Sequence, residues 1–136
     1  KLIKLVYIAH GWNLALEGEA LIDENAEAWK YGPVIPSVYH AFKSFKNNQV
    51  RLDKQGVGNQ LNSETKKLLD KVWDEYSTYS GKELSAMTHQ PDTPWDKVWR
   101  SILEENKESL QIPDDLIQRH YNAKKEANMA KQQAYA

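Results

Sequence analysis

The sequence predicts a mainly α fold, a helical bundle of about five to six helices with a small β-hairpin inserted after the first helix. Three observations predict it. Most of the chain places apolar residues at spacings of three and four. One stretch, "AEAWKYGPVIPSVYHAFK" over residues 26–43, begins with strand-like alternation and ends on helical spacing. The length, 136 residues, fits a single domain over residues 1–136 with a core that needs no disulfide or metal staple.

The first segment sets Leu2, Leu5, Val6, Ala9, Trp12 and Leu16 on one helical face, and Ile3, Tyr7, Ile8 and Leu14 widen that face nearly all round. A helix apolar on most sides is expected to be central, with Gly18 as its C-cap. The chain opens "KLIKLVYIAHGW" without Met, already in helical rhythm, as a trimmed chain would. Residues 19–34 read as an irregular hairpin of two extended pieces, "EALI" and "AEAWKYGPV". Pro36 suits the first turn of a second helix, carried on by Val38, Phe42 and Phe45 to about Asn47 and Asn48. "VRLDKQGVGNQLN" reads as strand, turn and short return strand. Ser63 is the expected N-cap of the next helix, whose stripe of Leu68, Leu69, Val72, Trp73 and Tyr76 is expected in the core. "KELSAMTHQ" is a short helix. Thr93 then caps, Pro94 fits a first turn, and Trp95, Val98, Trp99, Ile102 and Leu103 form a stripe. The last helix starts near Asp114 and Asp115, which complement its dipole. Its apolar stripe fades beyond Asn122, so residues 122–136 are expected to fray or to extend into solvent.

Composition excludes several function classes. There is no cysteine, which removes thiol catalysis, thiolate metal sites and disulfides and suits a reducing, cytoplasmic compartment. Net charge is -1 with 27% charged residues, so the basic excess usual in nucleic-acid binders is missing. No apolar run approaches the roughly 20 residues of a membrane-spanning helix.

Motifs for chemistry are sparse. His10, His40, His89 and His120 form no HxxxH or HExxH pattern. His40 and His89, joined by Asp92 or Asp96, are the one candidate catalytic grouping, and loop-tying N–H donors are the plainer reading. "GVGNQ" lacks the third glycine of a dinucleotide fingerprint, and "SGK" at residues 80–82 is only the tail of a phosphate loop. Glu19, Asp23, Glu24 and Glu27 read as a solvated acidic rim, or as a patch for a basic partner. Residues 82–103 can be drawn as a helix-turn-helix with Lys97 and Arg100 as readers, but Thr93, Pro94, Trp95 and Asp96 make a poor base-reading turn. No cofactor is expected.

The elbow after residue 29 is the most distinctive local feature. Gly32 takes backbone angles closed to other residues, and Pro33 and Pro36 fix theirs, so a strand passes into a helix within four residues. Trp29 and Tyr31 project to one face of that strand, with Ala28 and Lys30 on the other. The aromatic face is expected against the first helix near Trp12 or Leu16, with the Tyr31 hydroxyl at the rim beside the acidic stretch Glu19–Glu27.

Residues 4–43 and 80–95 together resemble the Panacea domain of the SocA-like antitoxin family, also labelled phage-associated GepA-type proteins. The W-x-Y-G-P-V run (Trp29, Tyr31, Gly32, Pro33, Val34) and the L-S-x-x-T-H…P-W run (Leu84, Ser85, Thr88, His89, Pro94, Trp95), in this order, carry the resemblance, which spans about residues 2–105. It implies a non-enzymatic binding domain, encoded beside a protein toxin. Such a domain neutralises the toxin by direct contact, either by blocking it or as an adaptor that delivers it to a protease. Tyr31, Tyr39, His40 and His89 are the partner-binding candidates. Trp29, Gly32, Pro33, Pro36, Leu84, Ser85, Thr88, Pro94 and Trp95 are motif residues with structural roles.

Overall fold

The computed structural model describes residues 1–43, 62–105 and 109–134. Among these there are six helices and a small sheet: α1 (Leu2–Glu17), β1 (Ala26–Trp29), β2 (Gly32–Val34), α2 (Pro36–Phe42), α3 (Ser63–Tyr76), α4 (Gly81–Thr88), α5 (Pro94–Glu105), β3 (Gln111–Ile112) and α6 (Asp114–Ala134). The expected strands in "VRLDKQGVGNQLN" and the expected positions of Phe45, Asn47 and Asn48 lie outside the described residues.

As its all-round apolar pattern predicts, α1 is central and buries every residue from Tyr7 to Ala15. Its C-terminal half is sealed by α6. A Cβ on Gly11 would fall 2.2 Å from the Tyr121 ring, so only glycine lets the two helices approach this closely. The Trp12 indole meets the Tyr121 ring edge-on at 5.2 Å and donates to the Tyr76 hydroxyl at 3.0 Å. Gln118 donates to the carbonyl of Leu14, which also accepts the Gly18 N–H at 3.1 Å, and Gly18 closes the helix in a left-handed cap.

His10 is fully buried. Its Nδ1 accepts the Ile22 N–H at 3.3 Å, which leaves Nε2–H to donate to Asp114 at 3.0 Å. One imidazole thus ties α1 to the loop that follows it and to the first turn of α6. The periodicity of α1 marks His10 only as a polar gap in an apolar run.

The β-element is a three-stranded antiparallel sheet, ordered β2-β1-β3. "EALI" is not a strand. The hairpin folds wholly within the second stretch, pairing Glu27 with Val34 and Trp29 with Gly32. The third strand comes from the far end of the chain, where Ile112 pairs with Ala26. A two-residue strand so distant in sequence carries no periodic signal of its own.

Several boundaries and burials differ from expectation. Asn62, not Ser63, caps α3, accepting the Thr65 N–H at 2.8 Å. Because α3 packs chiefly on α1, its buried stripe is narrow and takes Leu68, Val72 and Tyr76 at steps of four. Leu69 is half-buried, and Trp73, expected in the core, is 57% exposed. In α5, Trp95 is buried and Trp99 half-buried against it at 5.5 Å, whereas Leu103 is exposed. Ser80 opens α4 with a capping box to Glu83, whereas Ser80 and Gly81 are expected from the sequence to end the preceding helix. Beyond Asn122 α6 continues as helix to Ala134, and up to Lys131 it is mostly exposed.

Candidate functional site

Trp29 and Gly32 bracket a two-residue turn, Lys30 and Tyr31. Neither turn residue has a positive φ; Gly32 does, at 122°. That backbone favours glycine, and a Cβ there would also meet Lys4 at 3.2 Å and His89 at 3.6 Å.

Two side chains from the second motif brace this turn from below. Ser85 Oγ donates to the carbonyl of Tyr31 at 2.6 Å. Trp95 Nε1 donates to the carbonyl of Trp29 at 2.6 Å. A third brace comes from α1, where Lys4 Nζ donates to the carbonyl of Pro33 at 3.0 Å. Pro33 is tolerated because β2 is an edge strand. The supports are themselves fixed. Leu84 is fully buried, Thr88 returns its hydroxyl to the Leu84 and Ser85 carbonyls, and Thr93 accepts the Asp96 N–H to start α5 behind Pro94. Pro36 opens α2 behind the buried Ile35.

The strand's aromatic face does not pack near Trp12 or Leu16. Ala26 and Ala28 are the fully buried pair, in a strand that packs on α5. Trp29 lies on the other face, edge-on to Tyr39 at 4.9 Å and to His40 at 6.5 Å, with its Nε1 on Glu27 at 2.9 Å, and it shares a cleft with Ile3 and Lys4 at the start of α1. Trp12 instead belongs to the seam with α6, and Leu16 is exposed.

Tyr31 projects from the tip, 73% exposed. Its charged neighbours are basic rather than acidic: Lys30 Nζ lies 5.5 Å over its ring, and Lys1 and Lys4 line the same cleft. That cleft has a volume of about 330 Å³, with Trp29, Gly32 and Tyr39 also in its walls. Burial lowers the Lys4 pKa to about 8, because desolvation disfavours the charged ammonium.

The four partner-binding candidates divide. Tyr31 and Tyr39 share the cleft. His40 is exposed beside Tyr39. His89 is half-buried on the inner side, against Trp95 at 5.3 Å and 3.4 Å from Ser85 Oγ. His40 meets Trp29 and Tyr39 and His89 meets Trp95 and Ser85, so among the described residues the two imidazoles do not form a common centre. Among the described residues no group of three or more His, Asp or Glu side chains could hold a metal ion. Arg100, the proposed base reader, is held by Asp96 at 3.0 Å and Asp92 at 3.4 Å. No helix among the described residues is long and apolar enough to cross a membrane.

Sequence reasoning missed Lys4. The available signal was a lysine inside an otherwise apolar helical run, "KLIKLVYIA".

The chain is 30% identical over 105 residues to the protein named Antitoxin SocA from Caulobacter vibrioides (strain NA1000 / CB15N), a match covering 70% of this chain. It spans 56% of that relative's length. No solved structure matches the chain. The family model described as "Antitoxin SocA-like, Panacea domain" matches residues 2–96. That span holds both motif runs and every residue that braces the turn, and by it the chain belongs to the SocA-like antitoxin family.

Proposed function

We propose that this domain is a non-enzymatic antitoxin module that neutralises a protein toxin, encoded beside it, by direct contact through the face around Tyr31. What supports the reading, beyond family membership, is one observation. An aromatic side chain stands 73% exposed at the tip of a turn whose flanking carbonyls are held by Ser85, Trp95 and Lys4. A rigidly presented tyrosine adds contact area at low entropic cost, as interface hot spots do.

Tyr39 and His40 extend this face along α2, and Trp29, Gly32 and Trp95 act by holding it in place. His89 belongs to the support beneath the turn. Neutralisation works by blocking the toxin or by carrying it to a protease as an adaptor, in the cytoplasm, with residues 1–136 acting as one domain.

Co-expression with the neighbouring open reading frame tests this. The expected result is rescue of growth and a co-purified complex on a tagged domain. Growth arrest that the domain does not relieve, with no complex recovered, overturns it. Adding a protease-deficient host separates the two modes: an adaptor loses neutralisation there, whereas a blocking antitoxin keeps it.

A further inference from the structure

The cleft beside Tyr31 is cationic and aromatic together, and its charge is uncompensated. Lys4 is only 9% exposed. Its one hydrogen bond goes to a neutral acceptor, the Pro33 carbonyl, and among the described residues no carboxylate pairs with it. An ammonium has three donors, so two are left for whatever enters the cleft. Buried cations in folded proteins are normally paired, because desolvating an unpaired one is costly.

Lys30, at the mouth, lies over the Tyr31 ring, and among the described residues no carboxylate pairs with it. The first turn of α1 contains no acidic residue to offset either lysine. Trp29 and Tyr39 supply an apolar wall. With about 330 Å³, the cleft has room for a few side chains.

We propose that the cleft receives an acidic, extended segment of the toxin, with one Asp or Glu carboxylate on Lys4, a second near Lys30, and an apolar side chain against Trp29 and Tyr39. This rests on the toxin-binding reading above and names the chemistry by which the toxin is recognised. The unpaired ammonium is then a cost carried by the free domain and relieved in the complex, the usual trade between stability and function. Lys4 remains largely protonated at neutral pH even with its pKa near about 8, so it can form a charge-assisted pair.

The test uses the toxin recovered by co-expression, titrated against the wild-type chain, Lys4→Met and Lys30→Met, with melting temperature measured for each. Met keeps the hydrocarbon length of Lys4 and removes the charge. The expected outcome for Lys4→Met is a melting temperature within a few degrees of wild type, the lost bond to Pro33 being offset by removal of a buried charge, with affinity weakened about tenfold or more. Lys30→Met, at the exposed tip, is expected to weaken binding about threefold with no change in melting, as rim charges do. Asp→Asn or Glu→Gln changes in one toxin segment should reproduce the Lys4→Met loss.

Wild-type affinity retained by Lys4→Met overturns the proposal. If Lys4→Met unfolds, Lys30→Met decides: wild-type affinity and salt dependence there overturn the proposal, and a weakened, less salt-sensitive complex supports it. Binding that disappears after nuclease treatment means a phosphate-bearing ligand fills the cleft, which also overturns it. Failure to recover any complex sinks the functional reading itself. A complex indifferent to both lysines sinks only the acidic-segment proposal.

Discussion

The two ends of α1 are built on opposite terms. At its C-terminal half the polar groups find partners within the chain: His10 is bonded at both ring nitrogens, Trp12 reaches Tyr76, and the terminal carbonyl of Leu14 takes Gln118. Aromatic rings fill the remaining space with no room for a methyl group at Gly11. At the N-terminal end, Lys4 lies under an open cleft with a single neutral acceptor, and Tyr31 stands in solvent above it. Saturated, close-packed contacts fit a structural role. Rigid but unsaturated groups fit a role in binding something else. Substitutions at the first end are therefore expected to act through stability, and those at the second through recognition.

The largest effect is expected from Gly11→Ala. The added methyl would lie 2.2 Å from a buried ring that cannot swing aside. Overpacking of this kind costs about 1–3 kcal/mol, against which the helix-propensity gain of alanine returns about 1 kcal/mol. Because a ring in the seam is a rigid obstacle, the net loss is expected toward the upper end of this difference, up to roughly 2 kcal/mol, readable by urea denaturation. A neutral Gly11→Ala would show that α6 is free to move away and would break the contrast at its closed end.

Trp95→Phe comes next. It removes the donor to the Trp29 carbonyl and part of a buried ring, a loss of about 1–2 kcal/mol. Toxin affinity measured on the folded fraction should stay near wild type, since Trp95 braces the turn from beneath. A large affinity loss in a protein that melts normally would make Trp95 a contact residue.

Acid should weaken the closed end through His120. Burial, with smaller effects of Lys124 and Lys97, lowers its pKa from 6.5 to about 4. Between those values the unfolded chain carries the proton and the folded chain does not, so stability falls as pH drops through that window. After discounting for partial solvent screening, this is on the order of 1 kcal/mol. His120→Gln should flatten this part of the pH profile, while leaving stability above pH 6.5 close to wild type. A profile of unchanged slope would mean that carboxylates alone set the acid limb.

Much of this was legible in the sequence where a pattern was long and local. The central position of α1, the Pro94 and Pro36 helix starts, and the role of Gly32 as the turn glycine follow from periodicity and from the backbone limits of Gly and Pro. The family was legible as well, because two motif runs in order are more specific than either alone. What was not legible depended on contacts across the chain. Trp73 continues the α3 stripe, yet it is 57% exposed at the edge of the α1–α3 packing, with Lys1 over its ring. Trp29 packs on Tyr39 and beside the start of α1 rather than near Trp12, a placement set by α2 and the turn. The acidic surroundings expected for Tyr31 are lysines, brought there by the start of α1. Ser85 and Trp95 stood out as motif residues, but their attachment to two specific carbonyls spans more than fifty residues of chain.

The contrast between the two ends is tested most directly by Tyr31→Ala, with toxin affinity and melting temperature measured on the same preparation. Tyr31 is 73% exposed and only its backbone carbonyl is held, so its ring contributes little to the fold. The expected result is a melting temperature within a few degrees of wild type and an affinity weakened by about tenfold, the scale of a hot-spot truncation. An unfolded Tyr31→Ala protein, or a stable one that still binds and neutralises the toxin as wild type does, would contradict the assignment of this end of the molecule to recognition.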